Sequence, residues 1–366
     1  MPFISEYPTN SLSWWFDCTK VTLDPKPDLS FKYSLLSFLA TVQALDVPFL
    51  HITWEDVQQS IGLGGTARID EAYQTLQTSL AFKRVSKKSR EQSSSTAIYQ
   101  ILLNEVVALR HPVVQHHPHI APLQGVCWEM GSGDDKPWPV FVFERSVDGD
   151  LYSFISSPDG RSLDTRQRLG LVMNIGLAME ALHAADIIHG DVKPQNVLVF
   201  RDESEKCEAK LIDFGFSNTL SAISDDAHHR IRLPLSAPWN APEHDRLLRE
   251  WTSTQAMETD LYSFGMLCLW VLFEPYLSGS IAVCPPRDVN YNIKPGSSIW
   301  NLGTIKHTVQ AFAQDLVDLD TTLKENERVI LKEFFAKSLS LNPTERDISI
   351  HDLLDGLHCK RWLSPI

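Results

Sequence analysis

Cysteine is scarce in this chain, and the cysteines that occur are far apart. There are six among 366 residues, and no two of them form a CxxC pair. A zinc site built from thiolates is therefore disfavoured. The low density favours a reducing compartment, the cytoplasm or the nucleus, with most of these side chains acting as small hydrophobic residues of the core.

Long apolar runs are absent as well. The longest, FGMLCLWVLF at positions 264–273, has ten residues, which is about half of what a membrane-spanning helix needs. It predicts a buried helix and no membrane span. The first residues, MPFISEYPTNSLSWW, have neither a basic start nor an apolar run, so we expect no signal peptide.

Basic residues are outnumbered, with 33 Lys and Arg against 46 Asp and Glu and a formal net charge of −13. A nucleic-acid-binding surface needs a basic excess, so we expect no nucleic-acid partner. Hydrophobic residues make up 43% of the sequence, which is ordinary for a globular protein. The chain is long enough for two packed lobes.

The hydrophobic pattern changes from strand-like to helical along the chain. Strand patterns occur near 57–85 and in PVFVFE, with a helical period between them in TAIYQILLNEVVALRHP. The polar stretch at 86–95, SKKSREQSSS, predicts a solvated loop. The second half is helical, beginning with RQRLGLVMNIGLAMEALHAA, whose pattern predicts an amphipathic helix, and continuing with ETDLYSFGMLCLWVLF, IKHTVQAFAQDLVDL and ENERVILKEFFAKSLS. A β-rich unit followed by a helix-rich unit predicts an α+β fold of two lobes with a cleft between them.

Residues 1–55 are the least informative part of the sequence. Within YSLLSFLATVQAL, Leu35, Leu39 and Val42 recur at helical spacing. This helix either packs on the lobe that follows it or binds a partner.

Three polar residues of different chemistry lie in the segment HGDVKPQNVLVF, between an apolar helix and an apolar strand. Asp191 is suited to accept a hydroxyl proton, Lys193 to neutralise a phosphoryl group and Asn196 to ligate a hard cation such as Mg²⁺. Seventeen residues after Asn196, the strand-like KLIDFGFSN ends in Asp213 before Phe-Gly. A carboxylate at that position is a second candidate metal ligand.

These two segments resemble the catalytic loop and the Asp-Phe-Gly segment of the eukaryotic protein kinases, and the resemblance covers about 55–363. It implies a bilobal α+β fold with an N-terminal extension at 1–55, a small β-rich N-lobe at about 56–144 with one main helix, and a larger helical C-lobe at about 147–363. It also implies transfer of the γ-phosphoryl group of ATP, with Mg²⁺ as cofactor, to Ser or Thr hydroxyls of a protein substrate. The alternative is a pseudokinase, a scaffold that binds nucleotide or partners without transfer.

The resemblance places the nucleotide on the N-lobe. IGLGGTARI is similar to the glycine-rich loop over the ATP phosphates, LAFK to the strand whose lysine binds the α- and β-phosphates, and VFVFERS to the hinge that binds adenine. The implied nucleotide-binding residues are Ile61, Gly62, Gly64, Gly65, Ile69, Ala81, Lys83, Phe143, Glu144, Ser146 and Asp213. Phe143 is the implied gatekeeper, and Ala67 departs from the third glycine of the loop.

The implied catalytic residues are Asp191, Lys193, Lys83 and Glu105, and the implied metal ligands are Asn196 and Asp213. Lys83 needs a carboxylate to hold it. Glu105 is the candidate because its neighbours on one helix face are apolar. None of the polar residues that pseudokinases usually lose is missing, which favours activity.

Three further segments resemble structural motifs of the kinases. WNAPEHD carries Ala241-Pro242-Glu243, TDLYSFG carries Asp260, and NPTERDIS carries Arg346. In the family the glutamate of the first motif usually pairs with the arginine of the third. We therefore expect a buried Glu243–Arg346 ion pair whose role is structural.

Residues near the catalytic aspartate resemble Ser/Thr kinases. Lys193 follows Asp191 by two, and Ser236 precedes Glu243 by seven, where a hydroxyl bonds the catalytic aspartate and lysine in that class. Trp239, four residues before Glu243, is similar to the residue that the tyrosine-kinase-like group of Ser/Thr kinases has at this position. Dual specificity stays open.

Gly190 stands where most of the family has an arginine that pairs with a phosphate on the activation segment. A loop without this arginine before the aspartate is called a non-RD loop, and it has no positive charge to bind the phosphate. We therefore expect basal activity without phosphorylation of that segment. The hydroxyls there, Ser217, Thr219, Ser221 and Ser224, are candidate phosphorylation sites or simply polar loop residues.

Two other features carry less weight. The histidines of HPVVQHHPH, namely His111, His116, His117 and His119, predict a loop rather than a metal site, and His228 and His229 are expected to be exposed. Gln195 replaces the glutamate of some basic-directed kinases, which disfavours arginine-directed substrates. The sequence fixes neither the protein substrate nor the oligomeric state.

Overall fold

The computed structural model describes residues 33–51, 60–63, 67–73, 79–130, 137–219, 231–246, 250–277, 308–347 and 353. In 60–63, 67–73 and at 79, 130, 245 and 246 it describes the backbone alone. The chain forms two compact units. The first unit comprises Met1–Tyr99 and Leu123–Arg145, and the second comprises Gln100–Pro122 and Ser146–Ile366.

The first unit contains a five-stranded antiparallel sheet. The strands are β1 (Ser60–Leu63), β2 (Ala67–Tyr73), β3 (Ser79–Val85), β4 (Gly125–Met130) and β5 (Pro137–Glu144). Their order in the sheet is β1-β2-β3-β5-β4. Side chains alternate between the two faces of a strand. One face carries a core cluster of Leu80, Phe82, Cys127, Val140 and Val142.

Helix α1 (Leu35–Ala44) precedes the sheet and begins at Ser34, whose hydroxyl caps the first turn by accepting from the amide of Ser37. The helix was expected, but its buried face is different: Phe38 and Val42 are fully buried, whereas Leu35 and Leu39 are only half-buried. The aromatic ring of Phe38 takes part in three ring contacts, so this position is the centre of the packing.

The polar stretch after β3 is not the solvated loop that its composition predicts. It forms helix α2 (Lys87–Gln92), capped by the Ser86 hydroxyl, which accepts from the amide of Ser89. Both serines are buried. Arg90 donates to the Val85 carbonyl and pairs with Glu129, so local capping and an ion pair outweigh the low hydrophobicity of the segment.

Helix α3 (Ser95–Leu109) begins in the first unit and continues into the second. The second unit is otherwise mainly helical. Its further helices are α4 (Leu151–Ser156), α5 (Pro158–Ser162), α6 (Thr165–Ala184), α7 (Ser253–Leu277), α8 (Val309–Leu319) and α9 (Glu325–Ser338). Its strands form two antiparallel pairs, β6 (Ile187–Ile188) with β9 (Asn218–Thr219), and β7 (Val197–Arg201) with β8 (Cys207–Leu211). A small sheet-containing lobe and a helical lobe make this an α+β fold.

Helix α6 was predicted to be amphipathic, and that prediction is wrong. Every residue from Leu169 to Gly176 is buried, so the middle of the helix is enclosed on all sides. Its first turn has a capping box between Asp164 and Gln167.

Helix α7 contains the apolar run at 264–273 and is buried as predicted. Its backbone departs from helical geometry at Phe273, two residues before Pro275, which cannot donate to the helical ladder. Among the described residues, α7 is the one helix long and apolar enough to cross a membrane, but 83% of its apolar window is buried within the protein.

Candidate active site

Asp191 lies in the second unit, on the loop between β6 and β7, and three side chains hold its carboxylate. Lys193 Nζ donates to Oδ2 at 2.6 Å, Asn196 Nδ2 donates to Oδ2 at 2.9 Å, and Ser236 Oγ donates to Oδ1 at 2.6 Å. Asp191 is 3% exposed and Lys193 is 6% exposed. Such charge-assisted hydrogen bonds fix the carboxylate in one orientation.

The backbone of this loop is held by Asp260 on α7. Its carboxylate accepts from the amides of His189 at 2.8 Å and Gly190 at 2.9 Å. The Asp191 amide donates to His189 Nδ1, so the imidazole Nε2 carries the hydrogen and donates to the Ile212 carbonyl at 3.0 Å. A neutral histidine therefore links the loop to the residue before Asp213.

Gly190 is required by its backbone geometry. Its φ is +81°, which is unfavourable for residues with a Cβ. A Cβ there would lie 2.8 Å from the carbonyl oxygen of Phe216 and 3.0 Å from Cδ2 of Leu233. Any larger side chain would have to displace the backbone after Asp213.

Asn196 and Asp213 offer oxygen ligands of the kind that Mg²⁺ prefers. Asn196 Nδ2 donates to the carbonyl and the carboxylate of Asp191, and its Oδ1 accepts no hydrogen bond from the residues that the structure describes. The Asn196 carbonyl accepts from the amide of Ile212, so the two candidate ligands lie on connected segments. Asp213 has a φ of +65°, and both residues fit an oxygen-coordinated divalent cation.

The segment after Asp213 packs on α3 and on the catalytic loop. The buried Phe214 ring lies 5.0 Å from the His189 ring. Asn104 Nδ2 donates to the Gly215 carbonyl at 3.5 Å, and the Ser217 hydroxyl donates to the carbonyls of Phe214 and Asn104. Ser217 is 2% exposed, so its hydroxyl is an internal donor and not an accessible phosphorylation site.

The chain matches the model of the protein kinase domain over residues 56–355. The chain belongs to the protein kinase family.

Several known kinases are similar to this one. It is 28% identical over 244 residues to the salt tolerance receptor-like cytoplasmic kinase 1 of Oryza sativa subsp. japonica, covering 64% of this chain and 61% of the relative. It is 31% identical over 229 residues to the serine/threonine-protein kinase ULK3 of Xenopus laevis, covering 61% and 43%. A calcium and calcium/calmodulin-dependent serine/threonine-protein kinase of Lotus japonicus is 24% identical over 278 residues, covering 75% and 49%. The matches thus cover about half the length of these relatives.

Those predicted nucleotide residues of the first unit that the structure describes lie on β1, β2, β3 and β5. Lys83 is the direct cross-strand partner of Ile69 on one side and of Phe141 on the other, and Ala81 is the partner of Phe143. Directly opposed residues face the same side of a sheet. Ala81, Lys83 and Phe143 therefore share one face of the kinase sheet.

The remaining predicted site residues are placed as follows. Ile61 and Gly62 lie on β1, and Gly64 and Gly65 fall outside the described residues, as do Ser221, Ser224, His228 and His229. Glu144 ends β5 and is exposed. The Ser146 hydroxyl accepts from the Gly149 amide at 3.0 Å and donates to the Val199 carbonyl.

Glu105 lies on the part of α3 that belongs to the second unit, whereas Lys83 lies in the first. Glu105 is 1% exposed, and Leu102 and Leu109 are buried beside it on the same helix. Glu105 therefore does not face solvent, as its apolar neighbours predict.

The predicted Glu243–Arg346 ion pair is confirmed. Arg346 Nη1 and Nη2 contact the two carboxylate oxygens at 2.5 and 2.8 Å. Arg346 also donates to the carbonyls of Ser340 and Glu258, and its guanidinium lies over the Tyr262 ring. The expected contacts of Ser236 with Asp191 and Lys193 are present as well, at 2.6 and 3.4 Å.

Two functional residues were missed from the sequence. His189 and Asn104 both contact the Asp213 segment, through Phe214 and Gly215 respectively. His189 could have been singled out by its place two residues before Asp191. Asn104 gave no local signal, because its partners are more than a hundred residues away.

Proposed function

We propose that this protein is an ATP-dependent kinase that transfers the γ-phosphoryl group to Ser or Thr hydroxyls of protein substrates. The observation that carries the proposal is the Asp191 carboxylate, oriented by Lys193, Asn196 and Ser236. A pseudokinase has no use for a proton acceptor oriented in this way.

Each residue of the site has a separate task in this reaction. Asp191 orients the substrate hydroxyl and takes its proton as the oxygen attacks phosphorus. Lys193 and Lys83 offset negative charge on the phosphates. Asn196 and Asp213 would hold Mg²⁺, which would supply positive charge to offset that of the phosphates. Catalysis here is mainly positioning and electrostatic stabilisation.

The preference for Ser and Thr is supported by two features. Lys193 and Ser236 form the hydrogen-bonded set with Asp191 that resembles Ser/Thr kinases, and two of the relatives named above are serine/threonine-protein kinases. Trp239 supports membership of the tyrosine-kinase-like group. A pseudokinase function is the second candidate, favoured only by Ala67 in the glycine-rich loop.

The test is transfer of labelled phosphate from ATP to a generic protein substrate in the presence of Mg²⁺. Asp191→Asn should lower kcat by about a thousandfold or more, because the proton acceptor is lost. Asp186→Asn is the matched control: Asp186 is exposed, five residues upstream, and its positive φ of 54° suits asparagine. Equal kcat in Asp191→Asn and the wild type would overturn the assignment.

A thermal-shift measurement with ATP and Mg²⁺ separates the two candidate functions. A wild-type protein that is stabilised by ATP and Mg²⁺ but transfers no phosphate is a pseudokinase. A protein that is both stabilised and active, with Lys83→Ala inactive, is the kinase proposed here.

Gly190 supports a further element of the proposal, namely basal activity that does not depend on phosphorylation of the activation segment. No cationic side chain precedes Asp191 to bind a phosphate, and the geometry at Gly190 would not accept one. Phosphatase treatment of the purified protein should leave kcat within about twofold of the untreated value. Loss of nearly all activity, traced to a phosphate on that segment, would contradict this.

A further inference from the structure

A short stretch that lies outside the matched kinase domain is built into the first unit. Residues 33–51 precede the matched region, which begins at 56. The Leu50 amide donates to the Val126 carbonyl, and the Val126 amide donates to the Pro48 carbonyl, so the stretch adds a parallel bridge to the free edge of β4. A Cβ at Gly125 would lie 2.6 Å from the Pro48 carbonyl oxygen. The sequence of β4 thus accommodates this close approach.

Phe38 on α1 is the buried centre of this attachment. Its ring centroid lies 6.2 Å from that of Tyr99, 6.2 Å from that of Trp128 and 6.1 Å from that of Phe141. Phe38 is 0% exposed. Burial of a whole phenylalanine among aromatic rings is a large local contribution to packing.

Two of these neighbours are coupled to residues of the candidate active site. Phe141 is the direct cross-strand partner of Lys83, so the two side chains lie side by side on one face of the sheet. Tyr99 lies in the second turn of α3, the helix that carries Glu105 six residues later.

Helix α3 in turn contacts the segment that carries Asp213. Within the second unit, Asn104 donates to the Gly215 carbonyl, and a Cβ at Gly215 would lie 2.7 Å from Cγ2 of Ile101. Because α3 is one continuous helix from Ser95 to Leu109, a shift of its first turns moves Asn104 and Glu105 with it.

We propose that Phe38 is a positioning residue for phosphoryl transfer, holding α3 and the strand beside Lys83 in the geometry that catalysis needs. The inference rests on the proposed kinase function. Residues 33–51 are then part of the structure that phosphoryl transfer requires, because the aromatic cluster that fixes the position of α3 is incomplete without Phe38. Phe38 acts through Tyr99 and Phe141 and touches no substrate.

The test compares three alanine variants of the full chain. Phe38→Ala removes the central ring. Leu36→Ala lies on the same helix but at a side chain that is 77% exposed. Val140→Ala empties a fully buried position in the core cluster on the opposite face of the sheet, so it reproduces a loss of lobe stability without touching the aromatic cluster.

Steady-state kinetics should be measured at a temperature at which every variant is still folded, as judged from its thermal melting curve. Phe38→Ala should lower kcat about tenfold or more, with the KM for the protein substrate unchanged, because misplacement of positioning groups costs rate more than binding. Leu36→Ala and Val140→Ala should keep kcat within about twofold. An equal loss in Phe38→Ala and Val140→Ala, or none in Phe38→Ala, would overturn the inference.

Hydrogen exchange supplies a readout that does not depend on activity. Amides of α3 between 100 and 109 should exchange faster in Phe38→Ala than in Val140→Ala. If the wild type transfers no phosphate, the proposed function fails, while this exchange difference still decides whether Phe38 holds α3. Should Phe38→Ala fail to fold, Phe38→Leu, which keeps apolar volume but loses the ring contacts, takes its place in both measurements, with the same outcomes deciding.

Discussion

The catalytic loop of the second unit and the aromatic cluster of the first unit are ordered by different physical means. Around Asp191, order comes from hydrogen bonds between charged and polar side chains at 2.6 to 2.9 Å, supported by Asp260 beneath the loop. Around Phe38, order comes from ring contacts near 6 Å. Hydrogen bonds constrain direction, whereas ring packing constrains mainly volume.

This difference decides what a sequence reveals. The residues that hold Asp191 include two that lie within five positions of it, and few residue types suit their chemistry. Phe38, Tyr99, Trp128 and Phe141 come from four separate segments, and an apolar pattern does not specify which ring meets which. The catalytic loop is therefore visible in the sequence, and the aromatic cluster is visible only in the structure.

The largest effect should come from breaking a polar contact that the sequence predicts. Arg346→Ala leaves the buried Glu243 carboxylate without its bidentate partner. We expect a loss of about 3 to 5 kcal/mol in the free energy of unfolding, because one partner of a buried ion pair is left uncompensated. Urea denaturation measures it.

The matched control is a surface ion pair of the same unit. Arg232→Ala removes a pair with Glu250 at 3.3 Å, in which both side chains are at least a third exposed. Its cost should stay below about 1 kcal/mol. Equal costs for the two variants would contradict this prediction, because burial would then make no difference to what an ion pair contributes to stability.

The sequence predicted most of the second unit because its signals are local or chemically narrow. The Asp191 loop, the Glu243–Arg346 pair and the helices α7, α8 and α9 all follow from spacing or motif. Helix α2 was missed because capping by Ser86 outweighed composition. The burial of α6 on all sides was not predicted, because the hydrophobic pattern of one helix does not show how many other elements pack around it.

In the first unit β1, β2, β3 and β5 were predicted, but β4 and the attachment of residues 33–51 were not. Helix α1 was expected from its periodicity, yet the choice of Phe38 over Leu39 as the buried centre depends on Trp128 and Phe141, which come some ninety or more residues later. The parallel bridge from Phe49 to Val126 had no local signal either. Such contacts are set by tertiary packing.

A smaller effect should follow from Ser236, and it should fall on catalysis more than on folding. Ser236→Ala removes the hydroxyl that donates to Asp191 Oδ1 and accepts from Lys193. Because a hydrogen bond to a charged group contributes about 1.5 to 3 kcal/mol, we expect kcat to fall about ten- to hundredfold. Phosphate-transfer assays measure the loss.

Ser236→Thr provides the control, since threonine keeps the hydroxyl. It should restore most of the activity lost in Ser236→Ala. If threonine is as impaired as alanine, the hydrogen bond is not the reason for the loss, and the polar order assigned to the catalytic loop would need another basis.

The smallest effect concerns His119, a polar residue of the second unit to which none of the kinase motifs assigns a function. His119 Nε2 accepts from Asn174 Nδ2 at 3.2 Å, because the Asn174 oxygen already accepts from the Ala209 amide. Burial, followed by the nearby charges of His117, Lys210 and Lys206, lowers the pKa of His119 from 6.5 to about 4. The folded state therefore contains the neutral form of the His119 imidazole.

This shift has a definite sign for stability. Between about pH 6.5 and pH 4 the unfolded chain binds a proton at position 119 that the folded chain does not, so stability falls as the pH is lowered through that range. His119→Asn, which does not titrate, should show a shallower fall, with a difference of order 1 kcal/mol near pH 5 after allowance for solvent screening. His116→Asn, at an exposed histidine of the same loop, should keep the wild-type slope. Urea denaturation at several pH values tests both, and an unchanged slope in His119→Asn would mean that the folded chain does not hold the pKa of this histidine below its value in the unfolded chain.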